Sequence, residues 1–404
     1  MFDFKDSPTH NPIRLHPADA PYFGAPGRVG FHLIDTTMMY APRSGGVKRY
    51  LTHKREWLAR RRPDVEHTLV VPGATTGLEA PGVVTVAAAR LPFGDGYRMP
   101  ASTTKWETVL RMLEPDVIEA GDIFVPGHAA LEAGASLGVP VVGFCHTDAA
   151  ALAALHFGEW AEAPAMKHWA GTFRRFDRVV APSRHMANRL AEAGVDKVTV
   201  QMLGVDVERF HPSRADPARL KRRLGVPADA RLLVFAGRPA REKNIDSLVC
   251  AVERLGEPYW LLLVGAGKDA HYSPRVIPMA YERDPIKLAE LMASCDALVH
   301  ANENEPFGLI VLESLASGVP VVGPCRGGVA ELIDETVGQR ATRCDPAGMA
   351  EAIEALFARD QAPIKTAARR RAEQRHTWDT TFEGLCRLYG ELAVGRPASV
   401  QLRA

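Results

Sequence analysis

The 404-residue sequence lacks the features that would assign it to several common classes of protein. Its six cysteines are scattered without a Cys-x-x-Cys pair, which argues against a disulfide framework and against a zinc knuckle. The formal net charge is only +1, from 49 basic and 48 acidic residues, so the chain has no overall basic field for nucleic acid. The N-terminus lacks the apolar core of a signal peptide, and no run approaches the ~18 apolar residues of a membrane span. We therefore expect a cytoplasmic protein that is soluble or attached only peripherally to the inner face of a membrane.

The chain is long enough for two domains, and its pattern of apolar residues has two parts. Short β-branched runs alternate with amphipathic stretches from about Arg28, and the alternation restarts at the run RLLVFAG, which begins at Arg231. Such alternation predicts βαβ units around a parallel sheet. We expect an α/β protein with two Rossmann-like domains that face each other across a cleft. Ligands of open α/β sheets bind beyond the carboxyl ends of the strands, so this cleft is the expected binding site.

We divide the chain into five segments on this pattern. They are an irregular N-terminal arm (1–27), a first domain (28–208), a linker (209–228), a second domain (229–376), and a C-terminal helix and tail that pack back on the first domain (377–404).

Two cations follow the first strand of the second domain. Arg238 stands just beyond RLLVFAG, and Lys243 comes five residues later at the start of the next helix. Both side chains should therefore reach the carboxyl edge of the sheet, where two fixed positive charges suit a pyrophosphate.

A second motif, EPFGLIVLE, lies further along the same domain. Glu305 precedes a turn at Phe307 and Gly308, and Glu313 follows Glu305 by eight positions. The free backbone N–H groups from Gly308 to Ile310 would form an anion site at a helix N-terminus.

Together these motifs resemble those of the retaining glycosyltransferases of family 4, which have the two-domain GT-B architecture. The resemblance extends from about Arg28 to Leu392. Besides the two motifs above, it rests on Ser44-Gly45-Gly46-Val47, His146-Thr147-Asp148, Ala181-Pro182-Ser183, Gly204-Val205-Asp206 and Gly327-Gly328-x-x-Glu331, which occur in this order.

The resemblance implies a role for each matching residue of the second domain. Arg238 and Lys243 would bind the diphosphate of a nucleotide-sugar donor, and Glu313 would bind its ribose. Glu305 would bind hydroxyls of the transferred sugar, next to the turn formed by Phe307, Gly308, Leu309 and Ile310.

In the first domain the resemblance implies a glycine loop, a histidine and an acceptor groove. Gly45 and Gly46 would let the backbone approach the donor, because neither residue has a Cβ. His146 would lie beside the reacting face of the sugar, and Asp148 would help to bind the substrate. Asp148 equally suits the cap of the helix that follows it.

The implied reaction transfers a hexosyl group from a nucleoside-diphosphate sugar to a hydroxyl of a glycan or a lipid-linked acceptor. The sequences HTD and HANENEPFGL favour GDP-mannose over a UDP-sugar by a narrow margin. The chain has no Asp-x-Asp triplet, the usual metal ligand of the other glycosyltransferase architecture, so cationic side chains would replace the metal and no cofactor is expected. The resemblance favours retention by front-face attack, with the leaving phosphate taking the acceptor's proton, over a covalent intermediate on Glu305.

Other interpretations of the sequence lead to other classes of protein. The chain could bind a nucleotide sugar as a silent sensor or partner module, or act as a nucleotide-sugar epimerase. The run VGAGKDA from Val264 imitates a dinucleotide-binding fingerprint, but Pro274 and Pro278 follow too soon for the long helix that the fingerprint requires. Residues 48–62 form a basic helix, which is either a solvated face or a contact with anionic lipid or acceptor phosphates.

Overall fold

The computed structural model of the protein describes residues 30–42, 45–91, 96–267 and 272–394. These residues form two α/β lobes, each built on its own sheet, as the sequence predicts. The predicted N-terminal arm lies outside the described residues, as do the end of the C-terminal tail and the part of VGAGKDA after Gly267.

The first lobe is built on a largely parallel sheet. Its strands are β1 (Phe31–Thr36), β2 (Val65–Gly73), β3 (Gly77–Ala80), β4 (Val83–Ala87), β5 (Ala89–Arg90), β6 (Arg98–Met99), β7 (Val117–Ala120), β8 (Val141–Phe144), β9 (Arg178–Ala181) and β10 (Val198–Val200). Eight of them form a sheet in the order β10-β9-β8-β7-β1-β2-β4-β3, in which only β3 is antiparallel to its neighbour. The remaining two, β5 and β6, form a small antiparallel pair.

Helices cover both faces of this sheet, which is why its central strands β1, β7 and β8 are almost wholly buried. They are α1 (Gly46–Arg61), α2 (Thr103–Met112), α3 (Val125–Leu137), α4 (Ala149–Phe157), α5 (Glu162–Phe173) and α6 (Arg184–Glu192).

The second lobe is built on a fully parallel sheet. Its strands are β11 (Arg231–Ala236), β12 (Tyr259–Val264), β13 (Val276–Met279), β14 (Ala297–Val299), β15 (Val321–Pro324) and β16 (Gly338–Ala341), in the spatial order β13-β12-β11-β14-β15-β16. The helices of this half are α7 (Pro217–Leu224), α8 (Ile245–Leu255), α9 (Pro285–Ala293), α10 (Leu309–Ala316), α11 (Pro346–Phe357), α12 (Gln361–Arg375) and α13 (Trp378–Val394). No helix occurs among the described residues between β12 and β13, so the dinucleotide-binding interpretation of VGAGKDA finds no support here.

The last helix, α13, leaves the second lobe and packs against α1 of the first, which confirms the predicted return of the C-terminal helix. Trp378 stacks on Phe382 at 5.1 Å between ring centroids, and Phe382 in turn lies 5.8 Å from the ring of Tyr50 on α1. The indole N–H of Trp57 donates a hydrogen bond to Asp379. This apolar contact joins the two ends of the described chain.

A buried group of charged and phenolic side chains lies under the same contact. We call it the Lys54 network; its members are Asp35, Tyr50, Lys54, Glu119 and Tyr389, all at most 2% exposed. Lys54 Nζ lies 2.7 Å from Asp35, 3.1 Å from Glu119 and 2.9 Å from the Tyr389 hydroxyl. Burial, together with the nearby Asp35 carboxylate, raises the pKa of Glu119 to about 7, while Lys54 helps to keep the pKa of Asp35 below its usual range. Lys54 is therefore no part of a solvated basic face, although its sequence context permits that interpretation.

Candidate active site

The two loops that carry the predicted donor residues meet in the middle of the second sheet. From β11 the chain continues to β12 on one side and returns to β14 on the other side of β11, which makes the junction of β11 and β14 a topological switch point. The carboxyl ends of parallel strands share one edge, so the loop after β11 (237–244) and the loop after β14 (300–308) lie together. Open α/β sheets bind their ligands at such a crevice.

The central feature of this crevice is a group of polar side chains around Glu305. Lys243 Nζ lies 2.6 Å from Glu305 Oε2, and the amide of Asn302 donates a hydrogen bond of 2.8 Å to the same oxygen. His300 Nε2 lies 3.6 Å from that oxygen. We call these four residues the Glu305 cluster. Lys243 and Glu305, predicted separately as diphosphate and sugar ligands, are thus direct neighbours.

The surroundings of Glu305 keep its carboxyl group ionised. Burial alone would raise the pKa of this group, but the Lys243 ammonium and His300 outweigh burial and hold the pKa well below its usual range. A carboxylate that stays ionised near neutral pH can accept hydrogen bonds from sugar hydroxyls, and it can stabilise positive charge on a nearby sugar ring.

Arg238 occupies the predicted position just after β11, but its side chain is exposed. Among the described residues, no hydrogen bond or ion pair joins Arg238 to the Glu305 cluster. Lys243 is the last residue of a short 3-10 turn rather than the first residue of α8, which begins at Ile245. Asn244, which lies between Lys243 and α8, has a left-handed backbone conformation, and its side-chain amide donates a hydrogen bond to the carbonyl of Cys344.

The EPFGLIVLE motif forms the predicted turn and helix start. Phe307 is buried, Gly308 has a φ of 105°, and α10 begins at Leu309 and Ile310 with no side chain capping its N-terminus. Gly328 packs against this turn so closely that a Cβ would overlap the carbonyl of Pro306, and a Cβ on Gly327 would overlap the carbonyl of Glu303, which explains why a glycine pair occurs in that loop. The first N–H groups of α10 are therefore available to an anion.

Glu313 lies one turn further along α10 and is 4% exposed. Its Oε1 accepts a hydrogen bond from the guanidinium of Arg49, which belongs to α1 of the first lobe. Its Oε2 is buried and has no hydrogen-bond partner among the described residues. One carboxylate oxygen of Glu313, the residue predicted to bind the ribose, therefore has a partner across the cleft, and the other oxygen has none among the described residues.

The glycine loop of the first lobe faces this helix. Gly45 is the N-cap of α1, and a Cβ on Gly46 would lie 3.4 Å from the side chain of Leu309, at the start of α10. Ser44 lies outside the described residues. The loop thus approaches the N-terminus of α10 from the opposite side of the cleft. This position is the one that the backbone of the loop needs in order to contact a donor bound at α10.

His146 follows β8, and its ring stacks on Phe144 at 4.0 Å and lies 5.1 Å from Tyr50. Burial and the positive charge of Lys54 lower the pKa of His146 to about 3, so the imidazole is neutral near pH 7. Its Nε2 is buried without a hydrogen-bond partner among the described residues. A neutral imidazole with an unsatisfied nitrogen can bind a substrate hydroxyl, but it cannot supply a positive charge.

Asp148 has the geometry of a helix cap, the alternative to substrate binding that the sequence leaves open. Its carboxylate accepts a hydrogen bond from the N–H of Ala151 in the first turn of α4 and lies 2.7 Å from Arg189. A substrate would have to compete with both partners, so the predicted binding role stays a prediction.

Several contacts between the lobes are absent from the sequence-based prediction. Ser183 donates to the carbonyl of Pro306, next to Glu305, and the Glu331 carboxylate accepts from the first two N–H groups of α6. Arg241 donates to the carbonyl of Leu155. The motifs that contain Ser183 and Glu331 are part of the family resemblance. Nothing local in the sequence, however, indicates which residue of the other lobe each of them contacts. Among the described residues, no group of three or more His, Cys, Asp or Glu side chains is arranged to hold a metal ion.

Comparison with solved structures identifies the class of protein that this fold defines. The chain superposes on sucrose-phosphate synthase from Thermosynechococcus elongatus with a TM-score of 0.74 at 18% identity, over 91% of this chain and 100% of that one. It superposes on WaaG, a glycosyltransferase involved in lipopolysaccharide biosynthesis, with a TM-score of 0.64 at 15% identity, over 90% and 100% of the two chains. The fold is therefore GT-B, as predicted.

Sequence comparison then identifies the family. The model of "Glycosyltransferase Family 4" matches residues 44–209, and that of "Glycosyl transferases group 1" matches residues 218–376. A GDP-mannose-dependent alpha-mannosyltransferase of Corynebacterium glutamicum is 31% identical over 74% of this chain and 73% of its own length. A GDP-mannose-dependent alpha-(1-6)-phosphatidylinositol dimannoside mannosyltransferase of Mycobacterium tuberculosis is 30% identical over 90% and 97%. The chain belongs to the family 4 glycosyltransferases and is a hexosyltransferase; the sensor and epimerase alternatives find no support among these relatives.

Proposed function

We propose that the protein transfers a mannosyl group from GDP-mannose to a hydroxyl of a glycan or a lipid-linked acceptor, with retention at the anomeric carbon and without an essential metal ion. The observation that carries the proposal is the Glu305 cluster, which places a lysine and an ionised carboxylate beside the uncapped start of α10. The choice of donor is supported by two relatives whose names include dependence on GDP-mannose.

In this proposal the second lobe binds the donor. Lys243 and Arg238, with the N–H groups at the start of α10, bind the diphosphate, and Glu313 binds the ribose. Glu305, whose position next to Lys243 is fixed by Asn302, binds hydroxyls of the mannosyl group. This division leaves the first lobe to bind the acceptor, with closure at a hinge between residues 204 and 229 excluding water.

The chemical step breaks the bond between the anomeric carbon and a β-phosphate oxygen, and negative charge develops on that phosphate. The Lys243 ammonium and the N–H groups of α10 stabilise this charge more in the transition state than in the ground state. The acceptor oxygen bonds to the same face of the sugar, and its proton passes to the departing phosphate. His146, which is neutral, binds a substrate hydroxyl and carries no charge during this step.

The identity of the donor is tested by thermal-shift measurements with GDP, UDP and ADP, followed by their sugars. We expect GDP and GDP-mannose to raise the melting temperature most, because at equal concentration the ligand that binds the folded state most tightly stabilises it most. A larger shift with UDP than with GDP would contradict the choice of base.

Retention is tested by NMR of the first product formed, together with mass spectrometry of the protein quenched during turnover. We expect an α-linked mannoside from the α-linked donor and no covalent adduct. A mannosyl adduct on Glu305 would replace front-face attack by a double displacement, and a β-linked product would exclude retention altogether.

The predicted contact of residues 48–62 with an anionic membrane stays a prediction, and most cations of this segment already have partners within the protein. Six of the seven cations on this segment contact groups within the protein: Lys48, Arg49, Lys54, Arg55, Arg61 and Arg62. Arg60 alone has neither a hydrogen bond nor an ion pair among the described residues. None of the described helices is long and apolar enough to pass through a bilayer.

A further inference from the structure

The ion pair between Arg49 and Glu313 joins the two lobes at the position where the nucleotide is proposed to bind. Arg49 lies one turn into α1, and its backbone N–H bonds to the carbonyl of Gly45 in the glycine loop. Its side chain is 33% exposed, whereas that of Glu313 is 4% exposed. The guanidinium therefore reaches from the rim of the first lobe into a buried part of the second.

The contact follows from how α1 and α10 face each other. Gly46 and Arg49 are three residues apart on α1, and Leu309 and Glu313 are four residues apart on α10, so each pair shares a helix face. Gly46 approaches Leu309 while Arg49 meets Glu313. The glycine loop and the arginine thus form one surface that contacts the first turns of α10.

The second oxygen of Glu313 indicates that the pair is more than a bridge between lobes. Glu313 Oε2 is buried and has no hydrogen-bond partner among the described residues, although a buried polar atom is costly to leave unsatisfied. A carboxylate held at one oxygen and free at the other is arranged to accept a hydrogen bond from a ligand. The ribose hydroxyls of a nucleotide are donors of the required kind.

We propose that Arg49 is a positioning residue of the donor site, which holds the Glu313 carboxylate from across the cleft so that its free oxygen accepts a hydrogen bond from the ribose of the nucleotide. This inference rests on the proposed function, because it requires Glu313 to bind the nucleotide. It adds that the first lobe takes part in donor recognition through a side chain, and that nucleotide binding is coupled to the arrangement of the lobes in which Arg49 contacts Glu313.

The charges around Glu313 give the proposal a characteristic pH dependence. Burial raises the pKa of Glu313 above its usual range, and Arg49 is the main group that opposes this effect. Arg209 also lowers the pKa of Glu313. Tyr281 raises the pKa of Arg49, and Arg49 in turn lowers the pKa of His53. Without Arg49 the pKa of Glu313 rises further, so that the carboxyl group becomes protonated, and loses its charge-assisted hydrogen bond, at a higher pH than in the unaltered protein.

The experiment is calorimetric titration of the full-length protein with GDP between pH 6 and pH 8.5. For Arg49→Met we expect binding about tenfold weaker at pH 6, with the difference decreasing as the pH rises and Glu313 ionises again. Arg49→Lys retains the charge and should recover most of the affinity at pH 6. Arg60→Met, on the same helix, is the matched control and should bind as the unaltered protein does.

Two results would overturn the role of Arg49. They are equal affinities of Arg49→Met and the unaltered protein at every pH, and a failure of lysine to restore binding. If Arg49→Met melts well below the control, the comparison of Arg49→Lys with Arg49→Gln provides the same test.

A failure of the proposed function is distinguishable from these results. If Glu313→Gln binds GDP as tightly as the unaltered protein at every pH, Glu313 does not contact the nucleotide. If the unaltered protein binds none of GDP, UDP and ADP, the donor site itself is wrong. Either outcome removes the premise, whatever the Arg49 variants do.

Discussion

Replacement of Lys243 by methionine is expected to lower kcat/KM for transfer by about 10²- to 10³-fold, as the loss of a group that stabilises developing charge does in other enzymes. The ammonium is proposed to lie against the diphosphate, where the breaking bond places its negative charge. The substitution also removes the cation that pairs with Glu305 at 2.6 Å and helps to keep it ionised. The measurement is the initial rate of GDP release at saturating acceptor, with the donor concentration varied.

Two further variants give this prediction its controls. Lys287→Met removes an exposed lysine from the same lobe and should leave the rate within about twofold, as surface substitutions usually leave the fold intact. Glu305→Gln should lower kcat with little change in affinity for GDP, whereas Lys243→Met should lower both. If Lys243→Met retained the activity of the Lys287 variant, the ammonium would have no part in the reaction.

Replacement of Lys54 by methionine is expected to lower the free energy of unfolding by about 3 to 5 kcal/mol, the usual effect of removing one partner from a buried charge group. The substitution leaves Asp35 and Glu119 in the core without the ammonium that lies within 3.1 Å of both. Arg60→Met, further along α1, should change stability by less than about 0.5 kcal/mol. Urea unfolding followed by circular dichroism measures both variants.

A triple variant separates the loss of charge balance from the loss of packing. Lys54→Met combined with Asp35→Asn and Glu119→Gln replaces all three ionisable side chains by neutral ones, and it should recover much of the lost stability, because no unpaired charge then remains in the core. If the triple variant were less stable than Lys54→Met alone, the defect would come from packing rather than from unpaired carboxylates.

The sequence predicts the architecture well because the signal for it is local. Most core strands are short apolar runs rich in β-branched residues, and strands and helices alternate along both lobes as the pattern of apolar residues indicates. The start of α10 is predictable for the same reason, since a glycine turn and the helix after it are consecutive in the chain. The position of Lys243 near the sheet edge also follows from its place just after a strand.

The partners of these residues are not predictable in this way. Arg49 and Glu313 are 264 residues apart, and Lys243 and Glu305 are 62 apart, so no pattern within one element reveals either pair. The basic helix 48–62 shows the difficulty most clearly, because its cations look equivalent in sequence. In the structure Lys54 lies in the core and Arg49 reaches across the cleft. The packing of α1 against β1, α10 and α13 gives each turn of the helix a different environment, and the sequence of α1 does not show this packing.

The hydroxyl of Tyr389 bears on how the protein is made. It bonds to Lys54 and Glu119, which precede it by 335 and 270 residues, so a core element of the first lobe is encoded downstream of the whole second lobe. A ribosome synthesises the chain from the N-terminus, so the first lobe is made before Tyr389. Until then the ionisable groups of Lys54 and Glu119 lack the hydroxyl to which both bond in the complete structure. That lobe can reach its final packing only after synthesis of the second lobe, and a gene cut between the two halves would yield an N-terminal fragment in which Lys54 and Glu119 lack their bonds to Tyr389.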